Sequence, residues 1–325
     1  MNDIQKTGEV TAKKSTAVDQ GHWVDEYYTA EQYRLRLFCD HRSLLFSIAY
    51  RMLGTVVDAE DKVQETFLRW QRVPLANIKS PRAFLVTIVS RLCINHLQTA
   101  YVQREEYYGQ WLPEPLLTDP ARDPLEALGM EESLSMGFLI LLERLTPVER
   151  AVFLRREAFG YEYQEIARIT KLTDVNCRQI LRRARQHITD GRPRFDASPE
   201  KQEELLTEFL RAMVNGDIDG LLDLLTNDVV LYSDGGGKAT ALPKPIYGRA
   251  NVASLLTRAL EKFAGDVVIR STRINCQLGI LGYINGIAET AVVLETAESR
   301  IQSVYIVRNP DKLTKVPPLS TEFVC

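Results

Sequence analysis

The residues of this chain best suited to bind a polyanion lie in one short segment, between residues 174 and 188. Five of them recur at helical spacings that place them on one side of a helix: Arg178, Gln179, Arg182, Arg183 and Gln186. The opposite side is apolar and holds Cys177, Ile180, Leu181, Ala184 and Ile188. Arginine and glutamine bind phosphate oxygens and base edges, so this pattern predicts a helix that enters the major groove of DNA.

The residues just before this segment supply the other half of a DNA-binding motif. A short helix containing Ile166 and Ala167 is followed by the turn ITKLT, and Asp174 is expected to cap the second helix. Two helices joined by a short turn form a helix-turn-helix. The alternative is an amphipathic helix whose arginines contact only water, and the preceding helix and the turn length argue against it.

A second suggestive stretch is YSDGGGKAT, residues 232–240, which at first resembles a phosphate-binding loop. Such a loop needs the spacing GxxxxGK[ST] directly before a helix. Here the spacing differs, and the following ATALPKP contains two prolines and does not begin a helix. Because three glycines permit backbone angles closed to other residues, the stretch predicts a tight turn at the end of a strand, and we expect no nucleotide there.

The first elements that must position these residues are helices. Apolar residues repeat at helical spacing from Glu31 to about His96. Within this block, Gly54 is expected to end the first helix, Asp58 to cap the second and Pro81 to begin the third. Residues 104 to 135 contain four prolines and eight acidic residues, a composition that predicts a linker lying across a surface.

The last part of the chain has a different pattern. Helical segments are predicted at 199–215, 217–225 and about 248–264. The runs DVVIRSTRINCQ, TAVVLE and RIQSVYIVRN predict strands, with a turn at Asn285-Gly286. Helices followed by strands indicate an α+β domain with a curved antiparallel sheet.

The predicted organisation is therefore multidomain, with all-α domains first and the α+β domain last. Its segments are a flexible tail (1–30), an all-α domain (31–103), the acidic linker (104–135), the helix-turn-helix domain (136–190), a short linker (191–198) and the α+β domain (199–325).

The composition is that of an ordinary soluble protein, with 45% apolar residues, 26% charged residues and a net charge of −3. Ten Lys or Arg against six Asp or Glu give residues 31–103 a charge of +4, and ten against seven give residues 136–190 a charge of +3. Two against eight give the linker between them −6. Basic blocks favour a polyanionic partner.

The cysteines and the apolar runs exclude further classes of function. The five cysteines contain no CxxC pair, which argues against a zinc site and indicates free thiols in a reducing cytoplasm. We expect no cofactor. Neither an apolar run of about 18 residues nor a secretion signal is present, so we expect no membrane partner.

Several motifs together resemble a known family. DAEDKVQETFLRW (58–70) is similar to the part of sigma domain 2 that binds RNA polymerase, and residues 145–188 resemble sigma domain 4. WLPEP (111–115), DGGGK (234–238) and NPDKL (309–313) are similar to motifs of the extracytoplasmic-function sigma factors that carry a SnoaL-like C-terminal extension. The five motifs stand in the family's order across about residues 33–315.

The resemblance implies a promoter-specificity subunit of RNA polymerase that is cytoplasmic and not an enzyme. Domain 2 would bind the polymerase core through a polar, mostly acidic helix face: Asp58, Glu60, Asp61, Gln64, Glu65 and Arg69. It would hold the melted −10 strand with residues of the break at 71–80 and the next helix: Asn77, Lys79, Ser80, Arg82 and Arg91. Domain 4 would read the −35 element through the arginine and glutamine face.

The resemblance also implies that the extension contacts the sigma domains and sets their activity. The residues expected at that contact are those of the three motifs: Trp111, Leu112, Pro113, Glu114, Pro115, Asp234, Gly235, Gly236, Gly237, Lys238, Asn309, Pro310, Asp311, Lys312 and Leu313. Their charges are expected to form exposed, individually weak pairs that suit a reversible latch. The linker is expected to compete with nucleic acid inside the polymerase through Glu105, Glu106, Asp119 and Asp123.

Two other interpretations remain open. The chain could be a helix-turn-helix regulator that works without polymerase, or a SnoaL-like enzyme fused to a DNA-binding module. The extension contains no histidine, so catalysis would depend on Asp234 or Asp228 with a pKa raised by burial. We expect no catalysis, and a small-molecule ligand of the C-terminal domain stays open because a SnoaL-like cone has an open mouth.

Overall fold

The computed structural model describes residues 29–104, 107–118, 134–189, 199–261, 267–297 and 299–319. The predicted tail up to residue 28 lies outside the described residues, as do the linker carboxylates Glu105, Glu106, Asp119 and Asp123. None of the helices in the described ranges has the length and apolar character needed to cross a membrane.

Three long helices form the first part of the fold: α1 (Ala30–Leu53), α2 (Val56–Gln71) and α3 (Pro81–Arg104). Gly54 ends α1 in the left-handed conformation at φ 73°, as predicted. The predicted cap of α2 is wrong. Thr55 is the N-cap residue, Asp58 lies inside the first turn, and the first N–H groups are bound by the distant carboxylate of Glu114.

The next part contains α4 (Met136–Leu142), α5 (Pro147–Glu157), α6 (Tyr163–Thr170) and α7 (Asp174–Thr189). The helix-turn-helix prediction is confirmed by α6 and α7, between which Lys171 adopts the left-handed conformation. Asp174 is again a helical residue. The hydroxyl of Thr173 accepts a hydrogen bond from the Asn176 N–H at 3.2 Å and is therefore the cap.

The two helical parts share one hydrophobic core, which runs from α1 through α7. Buried arginines help to join them: Arg150 Nη1 donates to the Met52 carbonyl at 2.7 Å. Arg155 is 1% exposed between the rings of Phe159 and Tyr161, and burial lowers its pKa to about 10. Nearby, burial raises the pKa of Cys93 to about 12, so this thiol stays protonated.

The C-terminal part begins with helices and continues into a six-stranded sheet of order β2-β1-β6-β5-β4-β3. The elements are α8 (Pro199–Asn215), α9 (Ile218–Leu224), β1 (Leu225–Asp234), β2 (Ile246–Tyr247), α10 (Arg249–Glu261), β3 (Val267–Ile274), β4 (Gln277–Ile284), β5 (Ile287–Ala297) and β6 (Arg300–Val307).

The α+β prediction is confirmed, with two corrections to the sheet. β1 pairs with β6 in parallel, whereas β3 to β6 pair with one another in antiparallel fashion. The run DVVIRSTRINCQ is also not one strand: Asn275 and Cys276, at φ 55° and 59°, turn the chain into β4. The predicted turn at Asn285-Gly286 is confirmed.

The sheet buries both of its faces. One face packs against α8, α9 and α10. The other face is covered by Leu112 of the linker and Met136 of α4. The sheet therefore lies between its own helices and the sigma-like part of the chain.

Candidate functional site

The second helix of the helix-turn-helix presents its polar face to solvent. The five residues predicted to contact DNA are all exposed: Arg178, Gln179, Arg182, Arg183 and Gln186. Arg178 stacks on the ring of Tyr163 at 4.8 Å, so α6 helps to orient it. Arg185, at the edge of this face, is instead held toward α5 by an ion pair with Glu157 at 2.6 Å.

Some side chains on the polar face of α2 are exposed to solvent, and others form hydrogen bonds or ion pairs within the protein. Asp61 and Gln64 are exposed. Arg69 binds Glu65 at 2.7 Å within the helix. Asp58 accepts a hydrogen bond from Thr55 at the helix start. Glu60 is paired with Lys315 at 2.8 Å, so the end of the C-terminal domain contacts the helix that is predicted to bind polymerase.

The predicted −10 residues do not form one surface. Asn77, Lys79, Ser80 and Arg82 are exposed around the start of α3. Arg91 lies two turns further on and donates to the carbonyls of Ile169 (3.0 Å) and Arg168 (2.9 Å) in α6. Its guanidinium therefore joins α3 to the helix-turn-helix in this arrangement, and a DNA contact by Arg91 stays a prediction.

The DGGGK and NPDKL motifs meet in a buried cluster, not in exposed pairs. Asp234 is 0% exposed and Lys312 is 7% exposed, and their Oδ2 and Nζ atoms are 2.7 Å apart. The expectation of an exposed pair holds for Lys238 and Asp311, which are 2.5 Å apart at the surface. The buried pair faces the linker, and the surface pair lies beside it.

The buried pair forms hydrogen bonds with the linker backbone. Asp234 Oδ2 accepts from the Leu112 N–H at 2.9 Å, and Lys312 Nζ donates to the Leu112 carbonyl at 2.5 Å. The same ammonium lies 4.3 Å from the centre of the Trp111 ring, a cation–π contact. Both hydrogen-bonding groups of one linker residue are thus satisfied by the C-terminal domain.

A tyrosine from the linker completes this cluster. The Tyr107 hydroxyl donates to Asp234 Oδ1 at 2.6 Å and accepts from Asn309 Nδ2 at 2.9 Å. Burial and the Asp234 carboxylate raise the pKa of Tyr107. We call Tyr107, Leu112, Asp234, Asn309 and Lys312 the latch cluster.

The glycines of DGGGK have a steric role at this cluster. Gly236 and Gly237 have φ values of 59° and 70°, which favour glycine. The Asn309 side chain occupies the space that a Cβ at Gly236 would need. The Gly236 N–H also donates to Asp234 Oδ1 at 2.9 Å, so the turn helps to orient the carboxylate.

The opposite side of the same linker forms hydrogen bonds with α1, α2 and the turn between them. The Glu114 carboxylate accepts from the Val56 N–H at 2.7 Å, and the Glu114 N–H donates to the Gly54 carbonyl at 2.8 Å. Tyr50 donates its hydroxyl to the Glu114 carbonyl at 2.7 Å. Burial raises the pKa of Glu114, while the helix N–H groups act against that shift. WLPEP therefore lies between α1–α2 and the sheet.

Sequence reasoning missed a further contact at the turn before β4. Asn275 Nδ2 donates to the Tyr50 hydroxyl at 2.6 Å and to the Leu134 carbonyl at 3.0 Å, and its Oδ1 accepts from the Leu116 N–H. One buried asparagine thus ties α1, the linker and the start of α4 together. The asparagine itself could have indicated a turn here, since asparagine tolerates the left-handed conformation of tight turns.

A buried carboxyl was also missed. Glu295 is 5% exposed and accepts a hydrogen bond from the Tyr305 hydroxyl at 2.6 Å. Burial raises the pKa of Glu295. A Cβ at Gly137 of α4 would come 2.5 Å from Glu295 Oε1, so the helix approaches the sheet closely at that glycine.

The two carboxylates considered for catalysis are poorly placed for it. Asp234 is committed to the latch cluster, and Asp228 is exposed. On the other face of the sheet lies a cavity of about 700 Å³. The carboxylate among its described lining residues is Glu289, which is exposed.

Comparisons with known proteins agree with this architecture. The family model for Sigma-70 region 2 matches residues 37–101, and the model for Sigma-70, region 4 matches residues 138–188. The chain is 32% identical over 288 residues to the ECF RNA polymerase sigma factor SigJ of Mycobacterium tuberculosis, covering 85% of this chain and 92% of that protein.

Two further matches were found. The ECF RNA polymerase sigma factor SigG of the same organism is 33% identical over 218 residues, covering 58% of each chain. The crystal structure of the extracytoplasmic function sigma factor SigJ superposes with a TM-score of 0.71 at 31% identity, covering 88% of this chain and all of that one.

Proposed function

The chain belongs to the extracytoplasmic-function group of the sigma-70 family, and from that premise we propose that it guides RNA polymerase to promoters under the control of its own SnoaL-like domain. Residues 31–103 would bind the core enzyme and the −10 element, and residues 136–190 would read the −35 element. The observation that carries this proposal is the exposed arginine and glutamine face of α7. We propose the cytoplasm, where RNA polymerase works, as its compartment.

Recognition by α7 follows from the chemistry of its exposed side chains. Arginine can bind guanine through two parallel hydrogen bonds, and glutamine can do the same with adenine. The remaining arginines would bind phosphates and fix the helix in the groove. On α2, the exposed Asp61 and Gln64 are the groups open to a basic or polar helix of the polymerase core.

The arrangement in this structure cannot occupy both promoter elements at once. Positions −10 and −35 are separated by about 25 base pairs, or roughly 85 Å along straight B-DNA. Arg91 of α3 is within hydrogen-bond distance of α6. We therefore propose that this is a closed state, and that the two helical parts separate when the factor engages polymerase and promoter.

The C-terminal domain would hold this closed state. The latch cluster fixes one side of WLPEP, and Glu114 fixes the other side to the start of α2. Lys315 also neutralises Glu60 on the helix proposed to bind polymerase. Release of the linker would free α2 and allow the helical parts to separate, so the domain would act as a restraint.

The test is run-off transcription with bare core polymerase on the DNA upstream of the gene. The full chain should start transcripts at one position. Reversing charge on α2 (Asp61→Arg with Glu65→Arg) should abolish initiation. The matched change on the exposed surface of α8 (Glu203→Arg with Glu204→Arg) should leave initiation unchanged.

A second pair of variants tests the −35 reader. Arg178→Ala with Arg182→Ala should weaken promoter use, whereas Arg185→Ala should not, because Arg185 is held by Glu157. If the full chain binds this DNA but never starts a transcript with core polymerase, the rival function, a regulator that works without polymerase, is correct.

The SnoaL-like domain is proposed to regulate and not to catalyse. Its cavity provides a place for the small-molecule ligand left open by the sequence. If the full chain converts a cavity ligand and Glu289→Gln abolishes that turnover, the third interpretation, a fused enzyme, replaces this one.

A further inference from the structure

The cavity of the C-terminal domain lies between one face of the sheet and the helices α8 and α10. Its volume of about 700 Å³ is within the range of small-molecule sites, roughly 300–1,000 Å³. Most of its wall is aliphatic or aromatic, with Phe209 and Met213 from α8, Leu255 from α10, and Ile280 and Val292 from the sheet. Such a wall favours a ligand with an apolar body.

Two of the polar residues that line the cavity, Thr290 and Arg308, lie at one end of the sheet. Gly282 pairs with Thr290 across β4 and β5. Ala291 pairs with Val307, so Thr290 lies beside Arg308, which follows Val307 in the chain. Thr290 and Arg308 are therefore neighbours in the cavity lining. A guanidinium in an apolar pocket favours a carboxylate, which it can bind through two hydrogen bonds.

The sheet that lines the cavity is also the surface that grips the linker. Because side chains alternate between the two faces of a strand, neighbouring residues belong to different sites. On β1, Ser233 lines the cavity and Asp234 binds the linker. At the end of β6, Val307 packs in the linker-facing core, whereas Arg308 lines the cavity.

Hydrogen bonds connect the cavity wall to the linker and to Asp234, which binds the linker. The Arg308 N–H donates to the Asp234 carbonyl at 2.7 Å, and Arg308 Nη1 donates to the Thr240 carbonyl at 3.0 Å. Gln110 of the linker donates through Nε2 to the Leu242 carbonyl at 3.1 Å. Leu242 and Thr240 both line the cavity, so a molecule inside touches Leu242, which binds the linker, and Thr240, which binds Arg308.

We propose that this cavity binds an apolar carboxylic acid and that its occupancy tightens the grip of the C-terminal domain on the linker. The apolar body would fill the space between α8, α10 and the sheet, and the carboxylate would face Arg308 and Thr290. Ordering of the 240–242 wall by the ligand removes motion that otherwise opposes the grip. The regulatory consequence rests on the proposed function, whereas the binding event does not.

Binding is tested on the full chain with dodecanoate, detected by displacement of the fluorescent probe 1-anilinonaphthalene-8-sulfonate. Dodecanoate should displace the probe, and dodecanol should do so at least about tenfold more weakly, a difference of about 1.4 kcal/mol. Gly282→Leu should abolish binding by filling the cavity. A Cβ there meets only ordinary contacts with Thr290, at 3.7 Å and beyond, so the fold should tolerate it.

Two more variants complete the binding test: one fills the cavity from another element, and one is a control outside the cavity. Met213→Trp fills the cavity from α8, and should abolish binding independently of any change in the sheet. Val268→Leu adds a methylene on the exposed side of β3, outside the cavity lining, and should bind as the unmodified chain does. Equal binding by Gly282→Leu and Met213→Trp would place the probe elsewhere and overturn the proposal, and equal displacement by dodecanol would overturn the carboxylate assignment.

Coupling is tested by amide hydrogen exchange of residues 107–118 with and without dodecanoate. Exchange should slow several-fold in the unmodified chain and remain unchanged in Gly282→Leu. Unchanged or faster exchange on binding would refute the coupling. Because neither measurement uses polymerase, binding that succeeds while transcription fails would refute only the proposed function, and the reverse result would refute only this inference.

Discussion

Replacement of Lys312 by methionine removes the one cation of the latch cluster while keeping an unbranched side chain of similar length. In the unmodified chain, this ammonium is 2.7 Å from Asp234 and donates to the Leu112 carbonyl, with the Trp111 ring beside it. Methionine keeps the packing against Trp111 but loses the charge and both hydrogen bonds. The linker should therefore be released more readily.

The magnitude follows from the burial of the pair. Removing one partner of a buried ion pair costs about 3–5 kcal/mol, because the other charge is left behind. Here the Asp234 carboxylate keeps three donors, from Tyr107, Leu112 and Gly236, so we expect the lower end of that range. A cost of about 3 kcal/mol shifts the equilibrium between held and released linker by roughly a hundredfold.

Hydrogen exchange of residues 107–118 measures that shift, and run-off transcription measures its consequence. Exchange should accelerate by roughly a hundredfold in Lys312→Met, and initiation should increase. The control is Lys238→Met, which breaks the exposed pair with Asp311 and should change linker release by at most about 1 kcal/mol. In a double-mutant cycle, Asp234→Asn with Lys312→Met should cost less than the sum of the single changes.

Two results would refute this reasoning. Equal exchange rates in Lys312→Met and Lys238→Met would show that the buried pair does not hold the linker. Faster exchange without any rise in initiation would show that the linker is held but does not restrain the factor.

Three further predictions concern the interface, the DNA helix and the glycine turn. Burial raises the pKa of Glu295, so the folded chain keeps its full stability below the ordinary pKa of 4.5 and loses stability as pH rises through the raised pKa. Glu295→Gln stays neutral and should therefore raise the melting temperature by more at about pH 8 than at about pH 5. An equal gain at both pH values would contradict this. Arg182→Ala should reduce the slope of log affinity against log salt for promoter DNA by about 0.9, as measured by fluorescence anisotropy, while the paired Arg185→Ala leaves the slope unchanged; equal slopes in both variants would show that the wrong face was chosen. Gly236→Ala should destabilise the chain in urea by more than about 1 kcal/mol, because its φ is positive and Asn309 occupies the Cβ space; an unchanged midpoint would mean that the turn relaxes freely.

Local pattern determined much of the helical half in advance. The spacing of Cys177, Leu181 and Ala184 placed one face of α7 in the core and left the arginine face in solvent, as the structure shows. Gly54 and the Asn285-Gly286 turn were also predictable, because their backbone conformations depend on neighbours within a few residues. The roles of the exposed faces in binding polymerase and DNA stay predictions.

Contacts between distant segments were not predictable from such patterns. Asp58 and Asp174 were expected to cap α2 and α7 because both are good capping residues beside a helix start. The structure uses Thr173 for α7, and for α2 it uses Glu114, which lies 58 residues away from Val56. A local rule cannot identify a cap that arrives through the tertiary fold.

The sequence by itself therefore determined the helix-turn-helix, the α+β class of the C-terminal domain and the motifs that carry the family resemblance. Only the tertiary structure decided that Asp234 is buried, where it binds Leu112, 122 residues away, and Lys312, 78 residues away. The same is true of the parallel pairing of β1 with β6. The physical reason is that periodicity reports which side of an element is apolar, whereas the partner of a buried charge depends on how the whole chain closes on itself.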